Sequence, residues 1–111
     1  LYQPRRVYIH TEKDVHQDHR NSAMASLTAA RNCKEILAFE SPRTYASFSP
    51  NFYVVLDDDI IEHKNRCINC FKSQIEKTYM KRDAFSGLSK FRGYQVMANY
   101  AEAFESIRII D

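Results

Sequence analysis

Arg6-Val7-Tyr8-Ile9-His10, His16-Gln17-Asp18-His19-Arg20 and Lys34-Glu35-Ile36-Leu37-Ala38-Phe39 together decide the fold of this chain. The first and third are short runs rich in β-branched and aromatic side chains, which suit burial in a sheet. Between them, residues 19–32 carry alanines, Met24 and Leu27 at helical spacing, with Asn32 as a stop. Strand, helix, strand over this distance is a right-handed βαβ crossover, so the two strands are expected to be parallel. The histidine pair then falls where a strand hands over to a helix, which is where α/β sheets place their sites.

Two imidazoles three residues apart bracket a carboxylate in this pentapeptide. Histidine is the commonest metal ligand and titrates nearest neutral pH, and a neighbouring carboxylate can fix its tautomer or raise its basicity. The cluster can bind a metal, move a proton, or do both. The plainer reading of the same residues is a solvated polar loop that caps the following helix.

Outward from this unit, residues 40–51 hold Pro42 and Pro50 among Ser41, Ser47 and Ser49 and read as a surface loop. Phe52-Tyr53-Val54-Val55-Leu56 is a third apolar run. Asp57, Asp58 and Asp59 then place negative charge at a helix start, where the helix dipole favours it. That helix carries Ile61, Lys64, Ile68, Phe71 and Ile75 along one face as a core stripe. A second helical segment, residues 82–97, is expected to break near Gly87 and Gly93. Ala103-Phe104-Glu105-Ser106-Ile107-Arg108-Ile109 alternates and reads as a final strand.

The chain has 111 residues, one domain's worth. Its net charge of +2 is spread along the chain without a basic stripe, so no nucleic-acid partner is expected. No apolar run approaches a membrane span and none is of signal-peptide type, so a cytoplasmic location is expected. The three cysteines, Cys33, Cys67 and Cys70, cannot all pair with one another. They are expected as buried or half-buried reduced thiols, because Cys67-Ile68-Asn69-Cys70 lies inside a helical pattern and has no second pair.

A combination of spaced motifs carries a family resemblance. His-x-Asp-His-Arg after a strand is followed by an alanine-rich helix, Phe39-Glu40-Ser41-Pro42, Phe48-Ser49-Pro50-Asn51, an acidic helix start, Lys64, Ser73-Gln74 and Tyr100-Ala101-Glu102-Ala103-Phe104. Over residues 7–109 this resembles the carboxy-terminal half of the PIG-L/LmbE family of zinc-dependent N-deacetylases, which act mostly on N-acetylglucosamine-type substrates. The resemblance implies an α/β fold with a Rossmann-like, parallel, three-layer sheet, the whole chain being the carboxy-terminal portion of a single domain.

The resemblance also implies roles. His19 matches the zinc ligand, His16 the histidine that stabilises the tetrahedral intermediate or protonates the leaving amine, and Asp18 the carboxylate that orients it. Arg20 matches a position that is usually basic and is assigned to structure. Phe71 stands where family members often carry a histidine. The family's His-Pro-Asp-Asp motif, which supplies two more zinc ligands and the general base, occurs nowhere in this sequence. The chain alone is therefore expected to hold zinc weakly or not at all and to be inactive without an amino-terminal half. The expected partners are an amino-sugar-type small molecule and that missing half, or another copy of the chain pairing with the free edge of the Arg6–His10 strand, which makes a homo-oligomer the expectation.

Two alternatives stand beside this one. One reads the chain as a non-catalytic oligomerisation or ligand-binding domain that keeps the fold, the other as a separate metal-binding module using His10, His16, His19 and Cys33.

Overall fold

In the computed structural model, Arg6–His10 forms strand β1 with Val7 and Ile9 facing one side and Tyr8 and His10 the other. Residues 2–71, 73, 76–77 and 81–111 are described. The remaining elements are α1 (Gln17–Ala29), β2 (Glu35–Phe39), β3 (Phe52–Leu56), α2 (Asp58–Asn69), α3 (Arg82–Gln95) and β4 (Tyr100–Ile109). The four strands hydrogen-bond in the order β1-β2-β4-β3. The chain divides into two units, residues 1–52 with 103–111, and residues 53–102.

In the first unit β1 and β2 pair in parallel from Arg6↔Glu35 to His10↔Phe39, as the βαβ reading requires. The register puts Ile9 beside Ala38, and these residues cluster with Ile36 and Ala30, with Val7, Leu27 and Cys33 packed against them. Ile36 and Leu37 are fully buried, each adding roughly 2 kcal/mol from the apolar surface removed from water. Alanine at the buried position 23 of α1 needs little room.

The sheet is mixed rather than wholly parallel. β4 pairs antiparallel with β2, from Glu35↔Ile109 to Phe39↔Phe104, with a register shift at Ile36/Leu37. Its alternating sequence is the pattern of a strand with one face less covered, and Ile107 and Ile109 remain about half exposed. On the side that carries Tyr8 the sheet is aromatic: Tyr8 and Phe104 rings lie 5.3 Å apart, Phe104 meets Phe52 at 6.4 Å, and the Arg6 guanidinium lies 5.3 Å over Phe52.

Helix α1 begins two residues before the expected start. His16 takes the cap position and its ring Nδ1 accepts the Asp18 N–H at 3.1 Å, so His19 lies within the first turn.

In the second unit the Asp57 carboxylate caps α2 by accepting the Ile60 N–H at 2.9 Å, and Asp58 and Asp59 follow in the first turn. This helix ends at Asn69, so Phe71 lies beyond it and is exposed rather than part of a core stripe; Gln74 and Ile75 fall outside the described residues. Cys67 and Cys70 are exposed at its end and only Cys33 is half-buried, contrary to the expectation for all three thiols. Helix α3 runs unbroken through Gly87 and Gly93. Gly93 permits a close approach: a Cβ there would lie 2.7 Å from the Tyr100 amide nitrogen and 2.8 Å from the Ala98 carbonyl oxygen. The turn that follows places Met97 at φ 58, a left-handed conformation.

Candidate functional site

The carboxyl end of β1, the loop after it and the first turn of α1 bring His10, Asp14, His16 and His19 together. Asp14 is the hub. Its side chain is only 4% exposed. Oδ1 accepts the His16 backbone N–H at 2.8 Å, and Oδ2 lies 3.1 Å from His19 Nδ1 and accepts the Ser41 hydroxyl at 3.3 Å. Burial alone would push this carboxyl upward, but the donors from His16, His19 and Ser41 outweigh it and hold Asp14 below the ordinary aspartate value. Asp14 is therefore ionised, and its partner assigns the neutral His19 proton to Nδ1 and leaves Nε2 as the free lone pair.

His16 is fixed by the cap. Because its Nδ1 accepts a backbone N–H, the proton of the neutral ring belongs on Nε2, which makes that nitrogen a donor. The three imidazoles form a column: His10 and His19 stack at 4.2 Å and 13°, and His16 and His19 at 4.6 Å and 17°. Partial burial, together with the neighbouring His19 and His16, moves His10 below the ordinary histidine value against the pull of Asp14, so His10 is neutral at neutral pH.

The loops around the column are laced together. Arg20 donates to the carbonyl oxygens of Asp14 and Val15, both at 2.8 Å, which is a strap on the loop. Lys13 Nζ donates to Glu105 Oε1 at 2.8 Å and to the Ser47 carbonyl oxygen at 3.0 Å, and the same Glu105 oxygen accepts the Ser49 N–H at 2.7 Å. A cavity of about 90 Å³ opens beside His10 and Lys13, lined also by Ile9, Leu27, Ala38 and Glu105.

Of the residues singled out in the sequence, His16 and His19 meet in the column. The Asp18 side chain is 85% exposed, and its Oδ2 is 4.0 Å from His16 Nδ1. The carboxylate that engages a histidine at hydrogen-bond distance is Asp14, which sequence reasoning passed over; its signal is the Asp-x-His spacing, since an aspartate readily accepts the N–H two residues on. His63 lies exposed on α2. Within the second unit Lys64 and Glu102, both in the motif pattern, pair at 2.7 Å.

Imidazole nitrogen is the group this site can offer a divalent cation. Among the described residues one donor atom each from His10, Asp14 and His19 lies within 4.8 Å of the others. That spread is looser than the roughly 3.4 Å between donors around tetrahedral zinc with bonds of about 2.1 Å, and Asp14 is already engaged with His19 Nδ1, which leaves His19 Nε2 to bind. Among the described residues no helix is long and apolar enough to cross a membrane.

No family model matches the chain. The chain is similar to the uncharacterized deacetylase YaiS of Escherichia coli strain K12, with 34% identity over 68 residues. The match takes in 61% of this chain and 37% of that protein, so the chain spans little more than a third of the relative's length.

Proposed function

We propose that this chain carries the histidine half of the active site of a metal-dependent N-deacetylase of the PIG-L/LmbE kind, which hydrolyses the amide of an N-acetylglucosamine-type substrate. The observation that carries the reading is the clamp on His19: an ionised, buried Asp14 on Nδ1 at 3.1 Å, with Nε2 left to bind. The partial likeness to a deacetylase supports it.

His19 Nε2 would hold the ion, zinc being one that imidazole binds well, with Asp14 fixing the ring from the far side. A bound divalent ion supplies a water of lowered pKa and polarises the amide carbonyl. The chain's own residues contribute the donor side of the reaction. His16, with Nε2–H available, donates to the oxyanion of the tetrahedral intermediate. To protonate the departing nitrogen from Nε2 it first takes up a proton on Nδ1, releasing the Asp18 N–H, and returns to the neutral ring when the amine leaves. A proton delivered there lets the amine leave as a neutral group. Asp18, whose Oδ2 lies 4.0 Å from His16 Nδ1, is the carboxylate beside that ring.

The test is acetate release from N-acetylglucosamine derivatives by the whole protein, before and after chelation and on zinc repletion. Turnover that disappears with chelator and returns with zinc supports the reading. Zinc bound through His19 with no amide hydrolysis across N-acetylated amino sugars contradicts it and leaves a ligand-binding domain.

A further inference from the structure

We propose that His10 is a positioning residue that sets the plane of His19 through the face of its ring, and not by giving a nitrogen to the bound cation. This rests on the reading of His19 as a metal ligand.

Three restraints converge on His19. Asp14 holds Nδ1 at 3.1 Å, His10 covers one face at 4.2 Å and 13°, and His16 covers the other at 4.6 Å and 17°. The hydrogen bond by itself leaves the ring free to swing about the N–H···O direction, and the two stacked rings remove that freedom. Of the two, His10 is the firmer. It stands on β1, where its backbone pairs with Phe39, and the Phe39 ring braces it from the side at 4.6 Å and 54°. His16 by contrast sits in the loop at a helix cap. Side chains on a paired strand hold a site more tightly than side chains on loops.

The stack also argues against a ligand role for His10. Stacked rings keep their in-plane lone pairs in two separate, nearly parallel planes, so an ion lying in the plane of one ring is well out of the plane of the other, whereas the ligands of one ion must converge on it. To share the ion with His19, His10 would have to tilt out of the stack. The proximity of its nitrogens to Asp14 and His19 follows from the stacking. A ring without nitrogen should therefore serve as well.

The experiment compares the whole protein with His10→Phe and His10→Ala, using NMR of the metal-free imidazoles at alkaline pH, which reads the His19 tautomer and the motion of its ring, and zinc titration of the same samples. The expected result in all three is one His19 tautomer, protonated on Nδ1, because Asp14 sets it. In the parent protein and in His10→Phe the His19 ring should hold one orientation, with zinc affinities within about threefold. His10→Ala should show a ring exchanging between orientations and an affinity at least about tenfold weaker, the usual cost of losing a group that orients a ligand. His10→Phe losing as much as His10→Ala would overturn the proposal, because the nitrogen would then matter. A His19 ring as ordered in His10→Ala as in the parent would also overturn it. The NMR comparison needs no metal, so zinc failing to bind all three proteins would contradict the metal reading of His19 while the ring motion still decides the role of His10.

Discussion

Asp14 Oδ2 lies 3.1 Å from His19 Nδ1, five residues along the chain, and the same carboxylate accepts the backbone N–H of His16. One buried anion thus fixes both the loop that carries the first histidine and the ring of the second. Asp14→Asn should lower stability by about 1–3 kcal/mol, since an amide presents donors where several donors already point. Urea unfolding measures this. Zinc affinity should fall ten- to a hundredfold.

Asp14 in the loop and Asp18 in the first turn of α1 have separable roles. With a side chain 85% exposed, Asp18→Asn should leave zinc affinity and stability within the range of an ordinary surface substitution, about 0.5 kcal/mol. Any loss should fall on turnover, through His16. A tenfold drop in zinc affinity for Asp18→Asn, with Asp14→Asn unaffected, would reverse these assignments.

The two glycines of α3 should respond with opposite signs. Nothing lies within 4 Å of a Cβ at Gly87, so Gly87→Ala should stabilise by about 0.5–1 kcal/mol through helix propensity. At Gly93 the new Cβ meets backbone atoms of Tyr100 and Ala98 below 3 Å, so Gly93→Ala should destabilise by about 1–3 kcal/mol. Thermal melts of both variants are the check.

Acid stability should depend on Glu35, which accepts from Arg5 and Arg6. Those two hydrogen bonds hold it below the ordinary value of 4.5 against burial. A carboxyl lowered in the folded state favours folding above its unfolded value, and that contribution fades as pH falls through the lowered one. The difference in unfolding free energy between parent and Glu35→Gln should therefore be constant above about pH 5 and shrink below 4.5. His10 acts at a higher pH: lowered from 6.5, it favours folding while neutral and costs stability as pH drops below 6.5, because the unfolded chain takes up its proton first. His10→Phe should remove that slope.

Strand β1 ends the sheet, and Tyr8 on it is half exposed. An open edge of this kind invites another strand. Sedimentation at high micromolar concentration should show self-association that a proline at Tyr8 weakens; a strictly monomeric chain would count against it.

Much of the architecture was legible in the sequence because it rests on local pattern. The bounds of β1 and β3 and the parallel pairing of β1 with β2 follow from short apolar runs and a crossover helix of ordinary length. The antiparallel β4 was not, since its alternation gives no direction. The start of α1 was misplaced because the cap is a histidine ring nitrogen, a rarer cap than serine or aspartate. Glycine was read as a helix breaker at positions 87 and 93, where packing overrides a propensity cost of about 1 kcal/mol. In the site, His16 and His19 stood out by spacing, whereas Asp14 looked like one polar loop residue among several. Its role depends on burial against Ser41, 27 residues away. The stack of His10 on His19 likewise needs the register of β1 against β2.

The most direct test of the central claim is zinc content and deacetylase turnover measured together on the whole protein carrying His19→Ala or His16→Ala. His19→Ala should lose most of the metal and with it activity, whereas His16→Ala should keep the metal and lose about a hundredfold or more in turnover. Full zinc content and unchanged turnover in both variants would contradict it.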